Sequence, residues 1–385
     1  MTGICPAGPL LLTKLYHAKL STLNVALTIY PLPPQLPTSP YLDELYRPMA
    51  TLGVRVRRIR PRAALPELLA GRGPRLLHLH FFDELTQRPG ASATVARTLG
   101  FAGVLAALRR RGVRIVWTAH NLAPHEARHP AWAYAAYRLV LRQSDAVIAH
   151  SQAARRMLQD RYGRLPRTAV IPHGSYIGLR GPPRDRAASR AALGLPVAGP
   201  VWLNFGTLRP YKNIEGLIEA FARLPAQERG TLLIGGQAKF PEYAARLARR
   251  AAEVPGVVLR PGFVPDAELP VWLAAADAVV LPYRELLTSG ILLWALSYAR
   301  PVVAPAFGPV AELVRDGHEG WLVAPGDDAA LADALRRALA CAERDALGAS
   351  ALRVAGRFAW PAIAAETVEV FRLVTRDEGR KTNAR

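Results

Sequence analysis

The chain has 385 residues, of which 50% are hydrophobic and 21% charged; this composition excludes a disordered or collagen-like protein and predicts two globular domains. Its two cysteines, Cys5 and Cys341, lie near opposite ends of the sequence, which excludes a disulfide framework or a cysteine metal site and fits a reducing compartment. No run of 18 uninterrupted apolar residues occurs, so we expect no transmembrane span, and residues 1–20 read as a poorly defined leader rather than a secretory signal.

The positive charge is concentrated in the first half of the chain. Residues 1–195 carry 28 Lys and Arg against 9 Asp and Glu, a net +19, whereas residues 196–385 carry 22 against 21, a net +1. A bias toward arginine codons cannot produce that asymmetry. Basic clusters that include Arg57, Arg58, Arg109 and Arg110 predict an anionic membrane surface or another polyanion as partner, with a solvated surface as the alternative. Nucleic acid is disfavoured because residues 54–62 contain no aromatic side chain.

In the first half of the chain, apolar runs of strand length alternate with segments of helical period, as in parallel sheets covered by helices. The predicted strands are Asn24–Tyr30, Val54–Ile59, Leu76–Phe81, Arg114–His120, Ala146–His150 and Thr168–Ile171. The predicted helices are Tyr41–Leu52, Ser92–Arg111, Ala131–Arg142 and Gln152–Tyr162.

Residues 181–198 are predicted to be a linker, because two prolines stand there without flanking periodicity. The pattern then restarts with strands at Val201–Phe205, Thr231–Ile234, Val257–Leu259, Ala278–Leu281 and Val302–Ala304. The predicted helices are Ile214–Leu224, Pro241–Ala252, Pro270–Ala276, Gly290–Ala299 and Asp328–Ala342. The fold class is therefore α/β, with two Rossmann-like domains of parallel sheet, residues 1–180 and 199–357, facing each other across a cleft. Ligands are expected in that cleft, at the carboxyl ends of the strands.

The first strand of the second domain ends in a candidate phosphate site. Gly206 follows the strand, and Arg209 and Lys212 come before the next helix. Free amide N–H groups and the helix dipole favour an anion at such a position. Arg209 can grip a diphosphate with two parallel hydrogen bonds and Lys212 can act as a point charge, although basic residues at helix starts are also common without function.

A later segment of the second domain has the same design. Tyr283 follows a buried strand, and Thr288, Ser289 and Gly290 cap an apolar helix. Such caps are frequent for structural reasons alone, but two helix N-termini that converge on one cleft predict a nucleotide diphosphate. There is no Walker A sequence, and no Gly-rich dinucleotide fingerprint follows the first strand, which disfavours NTP hydrolysis and nicotinamide chemistry.

Two strand ends of the first domain carry polar side chains. Asp83 and Glu126, with His120 between them, form a plausible acid/base group in reach of the cleft; structural capping is the alternative for each carboxylate. His78 and His80 point to the same side of a strand, so a metal pair is conceivable, but buried histidines satisfied by hydrogen bonds are commoner.

Taken together, these segments resemble the GT-B superfamily of nucleotide-sugar glycosyltransferases, and within it the GDP-mannose:glycolipid β-1,4-mannosyltransferases of exopolysaccharide assembly. The His120–Glu126 and Arg209–Lys212 stretches are the most specific. The matching segments run in family order from residue 40 to about 305: Pro40-Tyr41, Leu45-Tyr46, His78-Leu79-His80, His120–Glu126, Phe205-Gly206, Arg209–Lys212, Leu281-Pro282-Tyr283, Ser289-Gly290 and Ala299–Val302.

The departures from the family pattern concern mechanism and acceptor. Most retaining relatives carry two glutamates eight residues apart, at positions that fall here on Leu286 and Trp294. Their loss is similar to the inverting mannosyltransferases and favours inversion. The family's Trp-Pro-Glu is Phe81-Phe82-Asp83 here, which keeps an acid, and the Asn that usually precedes Pro-Tyr is Ser39, which affects the acceptor side.

The resemblance implies a role for each candidate residue in transfer. An inverting reaction needs a general base for the acceptor hydroxyl and positive charge on the departing diphosphate. Asp83 is the expected base, with Glu126 second, and His120 is a positioning donor near the sugar. Arg209 and Lys212, with the amides of residues 288–290, would stabilise the leaving nucleotide. No cofactor and no metal are expected, because these groups supply the positive charge.

The resemblance also implies partners and location. We expect GDP-mannose as donor and a polyprenyl-diphosphate-linked oligosaccharide as acceptor, bound on the side of Tyr41 by the basic first domain. That domain would rest on the cytoplasmic leaflet of the cell membrane, and residues 358–385 would form a helix that crosses back to it and a polar tail. A retaining transferase with another nucleotide sugar and a non-catalytic polyanion-binding protein remain as alternatives.

Overall fold

The structure, a computed structural model, describes residues 27–182 and 184–382, so the expected leader and the start of the first predicted strand lie outside the described residues. Two six-stranded sheets, in the orders β2-β1-β3-β4-β5-β6 and β12-β11-β10-β7-β8-β9, contain only parallel neighbours. Their strands are β1 Leu27–Leu32, β2 Val54–Val56, β3 Arg75–Leu79, β4 Arg114–Ala119, β5 Ala146–Ala149, β6 Arg167–Val170, β7 Val201–Phe205, β8 Thr231–Gly236, β9 Val257–Pro261, β10 Ala278–Val280, β11 Val302–Pro305 and β12 Gly320–Val323.

Helices cover both sheets, as parallel strands require. Those up to the linker are α1 Tyr41–Tyr46, α2 Pro61–Ala70, α3 Asp83–Thr86, α4 Ala91–Arg110, α5 Pro130–Gln143 and α6 Gln152–Tyr162. The others are α7 Arg186–Ala192, α8 Ile214–Ala222, α9 Pro241–Glu253, α10 Leu269–Ala275, α11 Gly290–Ser297, α12 Gly308–Ala311, α13 Asp328–Ala340, α14 Arg344–Ala355 and α15 Trp360–Thr382. The predicted α/β fold class with two Rossmann-like units is confirmed.

Several elements differ from the sequence expectation. The predicted helix Tyr41–Leu52 is α1 followed by a 3₁₀ helix, Arg47–Leu52, with Pro48 near its start; proline has no N–H to continue the α-helical ladder. Helix α2 was not predicted; it contains two prolines, of which Pro61 occupies the tolerated first turn and Pro66 lies inside the helix. Strand β12 and helix α14 were also missed.

The linker contains a helix of its own. Helix α7 packs against α10, and the buried Arg190 donates to Asp277 at 2.6 Å and to the backbone oxygen of Ala275 at 3.0 Å. The paired charges and satisfied donors let this arginine sit inside the protein. The segment is therefore a fixed part of the second unit rather than a loose connection.

The last helix returns to the first sheet. In α15, Phe371 lies against His78 with ring centroids 4.8 Å apart, and Arg372 donates to the backbone oxygen of Leu52 at 2.8 Å. The ring of Trp360, at the start of α15, lies against that of Tyr41 with centroids 5.4 Å apart. One hydrophobic cluster consequently runs from Leu27 to Val374 and joins the two units. This packing holds the carboxyl ends of the two sheets face to face.

Candidate active site

Lys212 is a buried cation in the second unit. It ends a short 3₁₀ turn, Pro210–Lys212, after β7, and 6% of its surface is exposed. Its Nζ lies 5.6 Å from the ring centroid of Tyr283, and a Cβ added to Gly206 would come within 3.3 Å of it. Among the residues that the structure describes, no carboxylate lies within 4.0 Å of this ammonium. Burial, with repulsion from Arg209, lowers the pKa of Lys212 to about 7.

A cap lies beside this lysine at the start of helix α11. The hydroxyl of Ser289 accepts a hydrogen bond from the backbone N–H of Leu292 at 3.1 Å, which satisfies one of the free amides of the first turn. A Cβ on Gly290 would meet the hydroxyl of Tyr176 at 3.5 Å and Nε2 of His173 at 3.8 Å. The predicted cap therefore faces the first unit.

A cavity of about 180 Å³ lies between the two units at this cap. Its lining includes Thr288 and Ser289 from the second unit and His150 and His173 from the first. Polar groups from both sheets thus border the same space, as expected for a site at the carboxyl ends of parallel strands.

Glu126 bridges the cleft to two cations. Its Oε2 accepts from Arg209 at 3.1 Å and from Lys239 at 3.2 Å, while Oε1 is enclosed and has no hydrogen-bond partner among the described residues. Lys239 follows β8 and was not predicted as a site residue. The signal was available, since it is one of five lysines in the chain.

A second contact crosses the cleft beside the first. The ring of His125 stacks on Tyr211 at 3.8 Å, with 8° between the planes, and its Nδ1 lies 3.3 Å from Glu285. His125 and Tyr211 lie in the two stretches that carry the resemblance most specifically, His120–Glu126 and Arg209–Lys212, but their contact was not predicted, because an aromatic stack between two loops leaves no spacing signal. The two contacts close one side of the cleft.

Asp83 begins the short helix α3, immediately after β3. Its Oδ2 accepts from the hydroxyl of Tyr137 at 3.4 Å, and its Oδ1 is enclosed with no hydrogen-bond partner among the described residues. Burial raises the pKa of Asp83 to about 6, against the lowering effects of the Tyr137 bond and of the cations Lys239 and Arg209 across the cleft. The carboxylate is therefore a stronger base than an exposed aspartate.

His120 lies in a cluster of buried aromatic groups around Tyr41. Five histidines in this cluster are buried: His78, His80, His120, His150 and His173. Desolvation lowers the pKa of His78 and of His173 to about 3 and that of His150 to about 4, and the pKa values of His80 and His120 lie well below the usual range. All five rings are neutral at pH 7.

One expectation about the first unit is wrong, and another is confirmed. Tyr41 is 4% exposed and its ring lies 5.0 Å from that of His120, so it does not reach a membrane surface, because α1 turns it toward the strand ends. Each ring nitrogen of His78 and His80 has a protein partner, which is the satisfied-histidine alternative to a metal pair.

The predicted basic surface is partly neutralised by local ion pairs. Arg57 pairs with Glu67 and Arg109 with Asp145, and Arg58 pairs with a carboxylate of α1. Arg110 is exposed at the end of α4. Exposed pairs of this kind contribute little to stability, and the basic groups stay on the outside of the first unit.

Both halves of the chain match known families. The model of glycosyl transferases group 1 matches residues 199–341, and the model of Glycosyltransferase Family 4 matches residues 31–175. A GDP-mannose:glycolipid 4-beta-D-mannosyltransferase of Xanthomonas campestris pv. campestris is 32% identical, over 75% of this chain and 76% of the relative. A D-inositol 3-phosphate glycosyltransferase of Nocardioides sp. is 31% identical, over 86% of this chain and 84% of the relative.

The chain belongs to the GT-B glycosyltransferases. Solved structures share its fold. Sucrose-phosphate synthase from Thermosynechococcus elongatus superposes with a TM-score of 0.71 at 21% identity, covering 91% of this chain and 100% of the other. Anabaena HepE in complex with UDP-glucose gives 0.69 at 22% identity, covering 90% and 99%. The expected enzyme class is confirmed, and the non-catalytic alternative is excluded.

This glycosyltransferase has apolar side chains where many retaining relatives carry glutamates. Leu286 is buried, and Trp294 stacks on Tyr176 with centroids 4.2 Å apart and 16° between the planes. Both fill the interface between the units, and neither supplies a carboxylate there. The only acid nearby on this loop, Glu285, lies on the outer side with His125.

Proposed function

We propose that this glycosyltransferase moves a mannosyl group from GDP-mannose onto a lipid-linked oligosaccharide with inversion at the anomeric carbon. The 32% identical relative is named as a GDP-mannose-dependent enzyme that forms a 4-beta linkage. Because mannose is α-linked in GDP-mannose, a β product requires inversion. The apolar Leu286 and Trp294 support the same mechanism, since neither can serve as the carboxylate of retaining relatives.

The observation that carries the proposal is the buried, uncompensated ammonium of Lys212. A charged lysine without a carboxylate partner is unfavourable inside a protein unless an anion neutralises it. A Cβ on Gly206 would meet both Ile291, in the first turn of α11, at 2.6 Å and Nζ of Lys212 at 3.3 Å, and the guanidinium of Arg209 is close enough to repel this ammonium. A diphosphate fits these groups, because it carries enough negative charge for both cations and accepts several hydrogen bonds.

The proposed transfer is a single displacement at the anomeric carbon. The acceptor hydroxyl loses its proton to the carboxylate of Asp83 as its oxygen forms a bond to the anomeric carbon. The bond from that carbon to the donor phosphate breaks, and GDP leaves with the bonding electron pair. Lys212 and Arg209 stabilise the negative charge that develops on the diphosphate. We propose no metal for this step, since the cations and amides act on the leaving group.

Asp83 is favoured over Glu126 as the base. Each carboxylate has one enclosed oxygen without a partner among the described residues, but the other oxygen of Glu126 is held by two cations, whereas burial raises the pKa of Asp83 to about 6. Glu126 instead pairs with the guanidinium of Arg209 until the diphosphate binds there. Glu126→Gln should therefore leave kcat within a few-fold and not raise the KM for the donor, whereas Asp83→Asn should lower kcat by about 10² to 10⁴. A large loss of kcat in Glu126→Gln alone would reverse the assignment.

Helix α4 supports a membrane-bound acceptor. It is the one described helix long and apolar enough to cross a membrane by length and composition, and 22% of its most apolar window is buried. Leu99 and Val104 on this helix are 54% and 37% exposed, and the helix ends in Arg109 and Arg110. Exposed apolar side chains next to basic residues suit a helix that contacts an anionic bilayer. We propose that it rests on the cytoplasmic leaflet.

Two measurements test the proposal. A thermal-shift panel with GDP, UDP, dTDP and ADP should show stabilisation by GDP, because a ligand that binds only the native state raises the melting temperature. Analysis of the product anomer by NMR should then show a β linkage. A preference for UDP would overturn the donor, and an α-linked product would overturn the inversion.

A retaining transferase is the second candidate. The D-inositol 3-phosphate glycosyltransferase relative covers more of the chain than the mannosyltransferase relative does. Glu285 lies one residue from the position of a glutamate in retaining enzymes. If Glu285 took that role, Glu285→Gln would reduce kcat strongly and the product would be α-linked; under inversion this variant should lose only the contact with His125.

A further inference from the structure

Four hydrogen bonds link His120 to the interior of the first unit. Oγ1 of Thr118 lies 2.8 Å from Nε2 of His78, whose Nδ1 lies 2.6 Å from the hydroxyl of Tyr46. The same hydroxyl lies 2.8 Å from Nε2 of His80, and Nδ1 of His80 lies 3.1 Å from Nε2 of His120. All five residues are buried. We call these residues the relay.

The protons of the relay are coupled to one another. Each imidazole is neutral and carries one proton, so one ring nitrogen donates and the other accepts. The hydroxyl of Tyr46 has one proton and two nitrogen neighbours, so it donates to one histidine and accepts from the other. The direction of one hydrogen bond therefore determines the direction of all the others, and only two arrangements of protons in the relay exist.

Thr118 distinguishes the two arrangements. In one, the hydroxyl of Thr118 donates to His78, His78 donates to Tyr46, and Tyr46 donates to His80. His80 then donates to Nε2 of His120. In the other, His78 donates to Thr118, and the hydroxyl proton of Thr118 has no acceptor among the described residues. A buried donor without an acceptor is unfavourable, so the first arrangement is the more stable one.

This arrangement determines which ring nitrogen of His120 carries the proton. When Nε2 accepts, the proton of the neutral ring is on Nδ1. This nitrogen has no hydrogen-bond partner among the residues that the structure describes, and it is not one of their enclosed polar atoms. His120 follows β4 at the edge of the cleft, and Phe81 stacks on its ring at 4.4 Å, which keeps the ring from turning over.

We propose that Thr118, His78, Tyr46 and His80 are positioning residues that fix His120 as a hydrogen-bond donor toward the bound sugar. The inference rests on the proposed function, in which His120 contacts the transferred sugar. A ring locked in this tautomer cannot accept a proton from the acceptor hydroxyl at Nδ1, so the base must be a carboxylate. The positions of the protons in the relay thereby make His120 a hydrogen-bond donor and leave the role of general base to Asp83.

The tautomer is measured directly by NMR of protein labelled with [¹⁵N]histidine. The nitrogen shift distinguishes a protonated ring nitrogen from a bare one, and the His120 signal is assigned by its loss in His120→Asn. The expected result is a proton on Nδ1 and a bare Nε2. A proton on Nε2 in the unsubstituted protein would overturn the proposal, whatever the activity of the variants.

Two variants of Thr118 form a matched pair. Thr118→Val keeps the shape of the side chain but removes the donor, so both tautomers of His120 should be populated and kcat should fall by up to about tenfold, with the KM for the donor unchanged. Thr118→Ser keeps the hydroxyl and should behave like the original protein. If Thr118→Val leaves a single tautomer and an unchanged kcat, the relay does not set the ring.

These measurements separate the relay from the proposed function. The nitrogen shifts need no substrate, so they test the relay even if the donor or acceptor is different. Conversely, if the expected tautomer is found but His120→Asn has full turnover, the proposed contact of His120 with the sugar is wrong and the relay is only structural.

Discussion

Replacing Lys212 by methionine should stabilise the empty protein and abolish nucleotide binding. Methionine has nearly the length and flexibility of the lysine stem, so the change removes the charge and keeps the packing. Because no described carboxylate neutralises the ammonium, its removal relieves a burial penalty. The same charge is the proposed partner of the diphosphate, so binding should be lost.

The size of the effect follows from linkage. An ordinary lysine has a pKa of about 10.4 in the unfolded chain, whereas burial lowers the pKa of Lys212 to about 7. At pH 7 the unfolded chain binds the proton fully and the native protein only about half, which corresponds to about 4 kcal/mol of destabilisation. The destabilisation decreases as the pH rises from 7 toward the pKa of lysine in the unfolded chain, because the unfolded state binds more protons than the native state throughout that range.

Chemical unfolding at pH 7, followed by tryptophan fluorescence, measures the free energy of unfolding of each variant. Lys212→Met should gain about 1–4 kcal/mol, the range seen when buried charges are replaced by apolar groups. It should also show no thermal shift with GDP, and kcat/KM should fall by about 10² to 10³. Lys239→Met is the matched control, because Lys239 is half-exposed and paired with Glu126, so stability should change by less than about 1 kcal/mol.

The gain should shrink between pH 7 and pH 9, since the original protein recovers stability as Lys212 loses its proton. If Lys212→Met is less stable than the original protein, the ammonium has a compensating partner and the reasoning from an uncompensated charge is wrong. If stability rises but GDP still binds, the burial argument holds and the phosphate assignment fails.

The remaining predictions concern acid stability, the base and the membrane. Below about pH 6.5 the unfolded state binds protons on histidines that stay neutral in the native cluster, so each histidine should lower the free energy of unfolding by about 2 kcal/mol between pH 7 and pH 5. The raised pKa of Asp83 should offset about 1 kcal/mol of this loss. If the free energies of unfolding at these two pH values differ by less than about 3 kcal/mol, the histidines are not buried in the neutral form. Asp83 as base predicts that kcat/KM falls as the pH drops through about 6, the pKa that burial gives this carboxyl, and that this limb disappears in Asp83→Asn. Leu99→Asp together with Val104→Asp should weaken sedimentation with vesicles containing anionic phosphatidylglycerol, while the exposed Leu352→Asp should not; equal binding by both variants would exclude α4 as the contact.

The sequence alone determined the alternation of strands and helices and the order of the polar strand ends. Strand Val201–Phe205 has the predicted bounds, because a strand buried on both faces of a parallel sheet is almost entirely apolar. Arg209 and Lys212 were predicted in the cleft because parallel sheets bring all carboxyl ends of their strands to one edge. Where proline and basic residues interrupted the pattern, as in Pro61–Ala70, a helix was missed.

Only the tertiary structure decided which polar groups meet. The pairing of Glu126 with Arg209 and Lys239, and of Tyr46 with His78 and His80, joins residues that are tens of positions apart in the chain. Periodicity reports which face of an element is buried, but it carries no information about the partner across a cleft or between strands. Burial itself is also a property of the folded chain, since a lysine after a strand has its ordinary pKa until the surrounding elements exclude water from it.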